Sequence, residues 1–281
     1  MIQAVFLDVD GTLLRSDHEI SPKNLSVIQL IQEQHNVAVF LATGRPPQDL
    51  KKYYDQLRLD TPAICMNGAY IINFSKSKLI KEQTISLDLV KEFKKECQRH
   101  PVELAFYQDS RWMTTEFSPA VEKEASDLNN SFDVRPFKEI VYRWKNKNEA
   151  PHKMGVLSND EKKLLNAYKT LKEKFQNVLS VQKSQSNFIE VTAPNVSKGK
   201  AIAFLLEAFP FQREKTLAIG DSDNDISMLE WAGVGVAMGN AREHIKRLAN
   251  DVTLTNLEDG VAHALEKHII HQDKSSSIPT P

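Results

Sequence analysis

The run Ala4-Val5-Phe6-Leu7-Asp8-Val9-Asp10-Gly11-Thr12 decides how this chain is read. Four consecutive apolar residues without polar alternation mark a short buried strand. Two carboxylates close it, and a glycine and a threonine follow at once. In an extended segment an i, i+2 pair lies on one face, about 7 Å apart along the chain. Acids in that arrangement can bind a hard cation such as Mg²⁺, attack phosphorus or pass a proton.

Three further stretches carry the same signature outward. Val37-Ala-Val-Phe-Leu-Ala42 runs into Thr43-Gly44-Arg45, and Thr216-Leu-Ala-Ile219 into Gly220-Asp221-Ser222-Asp223-Asn224-Asp225. Ser197-Lys198-Gly199-Lys200 opens an apolar helical pattern at Ala201. Ser21-Pro22 is a helix start, a capping serine with proline at the first helical position, and Leu25, Ile28 and Ile31 follow at helical spacing. Ala63-Ile64-Cys65-Met66 reads as a short buried strand that Asn67-Gly68 turns. Alternating strands and helices predict a parallel α/β sheet. In such a sheet the loops at the carboxyl ends of the strands converge on one crevice, so residues far apart in sequence can form one site.

The middle of the chain changes character. Residues 83–188 are richer in charge and contain hairpin patterns. Residues 102–107 and 112–115 flank Gln108-Asp109-Ser110-Arg111, and 178–182 and 188–192 flank a turn through Ser184-Gln185-Ser186. Between them, 154–157 reads as a strand and 160–175 as an amphipathic helix. This predicts an α+β domain, 83–188, inserted into a core formed by 1–82 and 189–270, with links near 81–84 and at Pro194-Asn195. The tail 271–281, with three serines and two prolines, is expected to be disordered.

Composition narrows the function. The 281 residues carry a formal net charge of −1, enough chain for one large or two medium domains and no general attraction to nucleic acid or anionic membrane. Cys65 and Cys97 offer neither a disulfide framework nor metal spacing and are expected to be buried thiols, which fits a reducing cytoplasm. No signal peptide and no apolar run of the ~20 residues a spanning helix needs is seen, so the sequons at Asn73, Asn129 and Asn195 are chance matches. The eight histidines form no H-x-x-x-H pair, which speaks against zinc. In Gly233-Val-Gly235-Val-Ala-Met-Gly239 the third glycine comes one position late for a dinucleotide loop, and 220–225 lacks the later glycine and acid of a calcium loop. Trp112, Trp144 and Trp231 read as core or interface residues.

DVDGTLL, LATGRP, SKGKAI and GDSDND, in this order, resemble the four motifs of the haloacid dehalogenase superfamily. Met66-Asn-Gly-Ala69, Met228-Leu-Glu-Trp-Ala-Gly233, Val236-Ala-Met-Gly-Asn-Ala241 and Glu258-Asp-Gly-Val-Ala262 extend the likeness to its Cof-type (IIB) phosphatases. Val9 stands where the family more often has Leu or Ile. The resemblance implies a Rossmann-like parallel-sheet core with an inserted α+β cap of the C2B type. It implies Asp8 as the nucleophile of an aspartyl-phosphate mechanism, and Asp10 as the acid toward the leaving alcohol and then the base toward water. Mg²⁺ would be held by Asp8, the main-chain carbonyl of Asp10 and Asp221, with Asp225 holding a metal-bound water or orienting a ligand. Thr43, with its hydroxyl and backbone N–H, Gly44, Lys198 and Asn224 would bind the phosphoryl group. Lys200 and Asp223 are expected to be exposed, and Arg45 to touch substrate or the inserted domain. The expected activity is Mg²⁺-dependent hydrolysis of a small phosphorylated metabolite, a sugar phosphate first, with pyridoxal phosphate or flavin mononucleotide as alternatives. A catalytically silent phosphometabolite-binding regulator is the rival from another class, against which Asp10 speaks, because a pure binder does not need it. A phosphoryl transferase or mutase of the same fold is a second rival.

Overall fold

A computed structural model describes residues 1–127 and 131–271; the predicted tail beyond His271 and the sequon at Asn129 lie outside them. The described residues form fourteen strands: β1 (Ala4–Leu7), β2 (Ala38–Leu41), β3 (Ala63–Cys65), β4 (Tyr70–Asn73), β5 (Lys78–Glu82), β6 (Glu103–Gln108), β7 (Arg111–Thr114), β8 (Asp133–Val134), β9 (Lys153–Leu157), β10 (Ser180–Gln185), β11 (Phe188–Thr192), β12 (Thr216–Gly220), β13 (Val234–Ala237) and β14 (Asp251–Val252). The α-helices are α1 (Pro22–His35), α2 (Pro47–Gln56), α3 (Leu87–Cys97), α4 (Pro119–Asp127), α5 (Phe137–Lys147), α6 (Glu161–Phe175), α7 (Lys198–Ala208), α8 (Ile226–Trp231), α9 (Glu243–Leu248) and α10 (Gly260–Leu265).

Five strands make a parallel sheet in the order β14-β13-β12-β1-β2. All four residues of β1 are buried because helices cover both faces. Val5 and Leu7 point into one cluster with Val39, Leu41, Leu217 and Ile219. Ala4 and Phe6 point into the other, with Phe40, Ala218, and Ile202 and Leu205 of α7. Helix α1 starts as predicted: Ser21 accepts the Asn24 N–H at 3.0 Å and Pro22 follows. Ala63–Cys65 is a strand, but it meets the parallel sheet only through the bridge Ala42–Ile64 and otherwise pairs antiparallel with β4, which pairs with β5. Asn67 and Gly68, both at positive φ, make the predicted turn.

The inserted unit is a six-stranded, mostly antiparallel sheet in the order β10-β11-β9-β6-β7-β8. Alternation along its strands sorts the side chains. Leu104, Phe106, Met154, Val156, Ile189 and Val191 are buried, and Phe106 packs on Trp144 of α5 at 5.5 Å. Tyr107, Lys153, Gly155, Phe188 and Glu190 point the other way. The expected boundary at 188/189 falls inside a strand, β11. Residues Phe188–Thr192 are hydrogen-bonded between β9 and β10, so the cap sheet runs to Thr192 and the chain returns to the core at 193–195. On the other link Glu82 and His152 pair at 2.9 Å, and Gln83 Nε2 donates to the Pro194 carbonyl at 3.0 Å. Cys65, Cys97, Trp112 and Trp144 are buried as expected, while Trp231 is partly buried.

Candidate active site

The centre of the parallel sheet brings three loops side by side. The Asp8 N–H donates to the Ile219 carbonyl at 3.0 Å, and the Ala42 N–H to the Leu7 carbonyl at 2.8 Å. Asp8, Thr43 and Asp221 therefore all leave the carboxyl ends of adjacent strands, at the point where the chain order reverses. Gly11 adopts φ +76°, and a Cβ there would lie 2.5 Å from Asp221 Oδ2. The glycine thus serves both the turn and the approach of a carboxylate from far along the chain. Thr12 Oγ1 donates to Asp221 Oδ1 at 3.1 Å.

Helix α7 delivers Lys198. Ser197 caps it by accepting the Lys200 N–H, and Gly199 lets its first turn lie against Ser227, whose carbonyl would be 2.1 Å from a Cβ. Lys198 is fully buried, and its Nζ donates to Asp8 Oδ1 and to Asp225 Oδ1, each at 2.6 Å. Asp225 Oδ2 accepts the Asp221 and Ser222 N–H groups, both at 2.9 Å. Burial, then the charge of Asp225, pushes the Asp8 carboxyl well above its usual range, against the pull of Lys198. Burial and Asp225 likewise raise Asp221 to about 7. Burial alone would lower Lys198, but Asp225 and Asp8 outweigh it and raise the ammonium.

Three carboxylates thus face one buried ammonium, an excess of negative charge that a divalent cation would relieve. Ligand oxygens of Asp8, Asp221 and Asp225 lie within 4.8 Å of one another, and an all-oxygen set suits Mg²⁺. Both Asp225 oxygens are already engaged. Of the two parts foreseen for it, its bonds fit orienting Lys198 and the Asp221 loop, while its oxygens stay within the group that could hold a cation.

Asp10 stands apart from this cluster. Arg45, left between two roles by the sequence, grips it in a bidentate pair, Nε to Oδ2 at 2.7 Å and an Nη to Oδ1 at 2.6 Å. Burial opposes the Arg45 charge, but Asp10 outweighs it and raises the guanidinium. The Tyr53 ring lies 5.6 Å from the guanidinium carbon.

Two groups expected at the phosphate have protein partners in this structure. The Thr43 N–H is spent on the Ile64 carbonyl at 2.8 Å, so this backbone donor does not face a ligand. The Thr43 hydroxyl accepts the Arg45 N–H at 3.1 Å and keeps its own proton to donate. Asn224 Nδ2 donates to Asn67 Oδ1 at 3.1 Å and to Glu190 Oε2 at 3.3 Å. Lys200 is exposed as expected, whereas Asp223 is half-buried and paired with His244 and Arg242.

Above these groups lies a cavity of about 270 Å³, at the small end for ligand sites. Asp8, Asp10, Thr43, Gly44, Asp221 and Asn224 line its core side, and Glu124, Lys153, Ser184, Phe188 and Glu190 its cap side. None of the five cap residues was foreseen. They stand in ordinary amphipathic segments, and only strand pairing shows which face meets the core.

A sequence profile of the haloacid dehalogenase-like hydrolases matches residues 5–265. The phosphatase YwpJ of Bacillus subtilis is 32% identical over 294 residues, covering 96% of this chain and all of that protein. The pyridoxal phosphate phosphatase YbhA of Escherichia coli is 28% identical, covering 95% and 99%. The structure of the subclass IIB sugar phosphatase BT4131 superposes with a TM-score of 0.82 at 28% identity, covering 95% of this chain and 98% of that one. With its parallel core, its inserted cap and its paired aspartates at the end of β1, the chain belongs to the haloacid dehalogenase-like hydrolases, among their phosphatases.

Proposed function

We propose that this phosphatase hydrolyses a small phosphorylated metabolite, a sugar phosphate before others, through an aspartyl-phosphate intermediate with Mg²⁺ as cofactor. The observation that carries the reading is Asp8: buried, bonded to Lys198, and sharing one cavity with an Asp10 that Arg45 holds. Asp8 attacks phosphorus and the bond to the leaving oxygen breaks. Asp10 protonates that oxygen, then takes a proton from the water that attacks the phosphorylated aspartate, releasing phosphate and restoring Asp8. Asp10 must part from Arg45 to do so, which gives Arg45 the role of holding it until substrate arrives. Lys198 steadies charge on Asp8 and on the phosphoryl oxygens, and the Thr43 hydroxyl and Gly44 N–H donate to those oxygens. Asp8, Asp221 and the main-chain carbonyl of Asp10 would hold Mg²⁺, which when bound neutralises the repulsion between a carboxylate and a phosphate dianion.

The cavity's polar cap side, with Lys153, Glu124, Glu190 and Ser184, supports a hydroxylated leaving group. The likeness to a sugar phosphatase points the same way. Phe188 on the same wall, together with the relative YbhA, keeps pyridoxal phosphate as the second reading. The test is phosphate release from sugar phosphates, pyridoxal phosphate, flavin mononucleotide and an aryl phosphate. Activity should vanish in chelator, return with Mg²⁺ and return poorly with Ca²⁺, which prefers more ligands at longer distance. Full turnover in excess chelator would remove the metal assignment, and binding of these esters without phosphate release would favour the silent regulator.

A further inference from the structure

Two charged residues of the cap are buried against the core, and both come from the sheet face that looks at the cleft. Lys153 on β9 is 3% exposed and Glu190 on the neighbouring β11 is 5% exposed. They bond each other at 2.9 Å, Nζ to Oε1. Their remaining hydrogen bonds cross to the core. Lys153 Nζ donates to the Gly44 carbonyl at 2.7 Å. Glu190 Oε2 accepts from Asn67 Nδ2 at 2.6 Å and from Asn224 Nδ2 at 3.3 Å. The Lys153 ammonium also sits 4.5 Å from the centre of the Tyr107 ring. A Cβ on Gly44 would lie 2.5 Å from Glu190 Oε1, so the middle residue of the Thr43-Gly44-Arg45 turn is small where the cap carboxylate comes in.

We infer that Glu190 and Lys153 are positioning residues, a latch through which the closed cap holds the Thr43–Arg45 turn and the Asp221–Asp225 turn in their working places. This deepens the phosphatase reading and rests on it, because the two turns matter as the places where phosphoryl group and cation are held. Ion and counter-ion both ride on the cap. Opening therefore never separates the Lys153–Glu190 charges. Of this pair's hydrogen bonds it breaks those to one carbonyl and two amides, which water can replace on both sides. Such a latch holds a closed state and still lets product leave. Through the same contact Glu190 engages the Asn224 amide for as long as the cap is closed.

The experiment uses the full chain with spin labels on Tyr142→Cys in the cap and Leu257→Cys in the core, both well exposed, while Cys65 and Cys97 are buried and escape labelling. Pulsed electron resonance gives the cap–core distance distribution, and aryl-phosphate hydrolysis with Mg²⁺ gives kcat. In folded Glu190→Gln the distribution should widen toward longer distances and kcat should fall about 10- to 100-fold, the scale of a buried charged hydrogen bond removed. Asn67→Asp sets a carboxylate against Glu190 from the core side and should act likewise. It serves as the test if the first variant does not fold. An unchanged distribution, or an unchanged kcat, in the folded variant overturns the latch. A parent chain that hydrolyses no phosphate ester would sink the phosphatase reading instead, and the distance measurement would still decide whether these residues hold the cap.

Discussion

Asp8, Asp221 and Asp225 crowd around one ammonium, and that crowding can be read by titration. Burial and the charge of Asp225 raise the Asp221 carboxyl to about 7 in the folded chain, above the ordinary value near 4, so between these values only the folded chain keeps the proton. Its folded pKa is raised. Its contribution to stability is therefore fully present below about pH 4 and is lost as pH rises through 7. In chelator, Asp221→Asn should be more stable than the parent at about pH 8, with the gap narrowing below pH 7 and closing toward pH 4, as thermal unfolding would show. Mg²⁺ should then stabilise the parent and not the variant. A gap that ignores pH would mean that Asp221 carries no such strain. For the chemistry, Asp8→Asn should fold and lose turnover, and Asp10→Asn should lose roughly 10²- to 10⁴-fold in kcat, the usual scale of acid–base help. A folded Asp8→Asn protein at parental rate would end the aspartyl-phosphate mechanism. At this scale the sequence was informative about residue type and blind to pairing. That Asp8, Asp10, Lys198 and Asp221 would gather in one place was legible from four motifs in order, each at the end of a strand or the start of a helix. The grip of Arg45 on Asp10 was not, since nothing in a Thr-Gly-Arg turn says where the guanidinium reaches.

Among elements, α7 carries the most chemistry for its length. Its first turn must reach Asp8 while lying flat on α8, which Gly199 permits. Gly199→Ala forces a methyl against the Ser227 carbonyl, so α7 and α8 must part and Lys198 must retreat from Asp8. We expect a lower melting temperature and a fall in kcat larger than the fall in stability explains. A normal kcat at a depressed melting temperature would show that Lys198 tolerates the shift. The elements that were easiest to foresee, β1, β2, β12, α1, α6 and α7, announce themselves by an unbroken apolar run or by a cap before a helical stripe. Two things were not legible. Ala63–Cys65 looks like one more parallel strand, but after one bridge to the sheet it turns into an antiparallel arm, a choice made by its partners β4 and β5. The strand Phe188–Thr192 was cut by a boundary drawn from composition, although its hydrogen bonds keep it in the cap sheet.

For the molecule as a whole, the division of labour between core and cap follows from what each can touch. The core presents carboxylates, an ammonium and a hydroxyl, all within reach of a phosphoryl group and none shaped for an alcohol. The cap side of the cavity is where leaving groups would differ, and there Glu190 and Lys153 are already bonded to each other and to the core. Ser184 and Phe188, with Glu124, remain as the cap side chains placed to meet the leaving alcohol. A small pocket of this kind discriminates through shape and through polar groups left unpaired by the wrong ligand. Phe188→Ala enlarges the wall and removes its aromatic face, and Ser184→Ala deletes a hydroxyl at the other side. Each should reorder kcat/KM among sugar phosphates, pyridoxal phosphate and flavin mononucleotide by about 10-fold or more, the scale on which pocket contacts select substrates. Hydrolysis of a small aryl phosphate, which barely reaches the cap, should stay within about threefold of the parent. The comparison separates selection from catalysis, because damage to the core machinery would depress every substrate together. Should both variants keep the parental ranking across the panel, the leaving group is not read by this wall, and the core loops around Arg45 become the place where selectivity must lie.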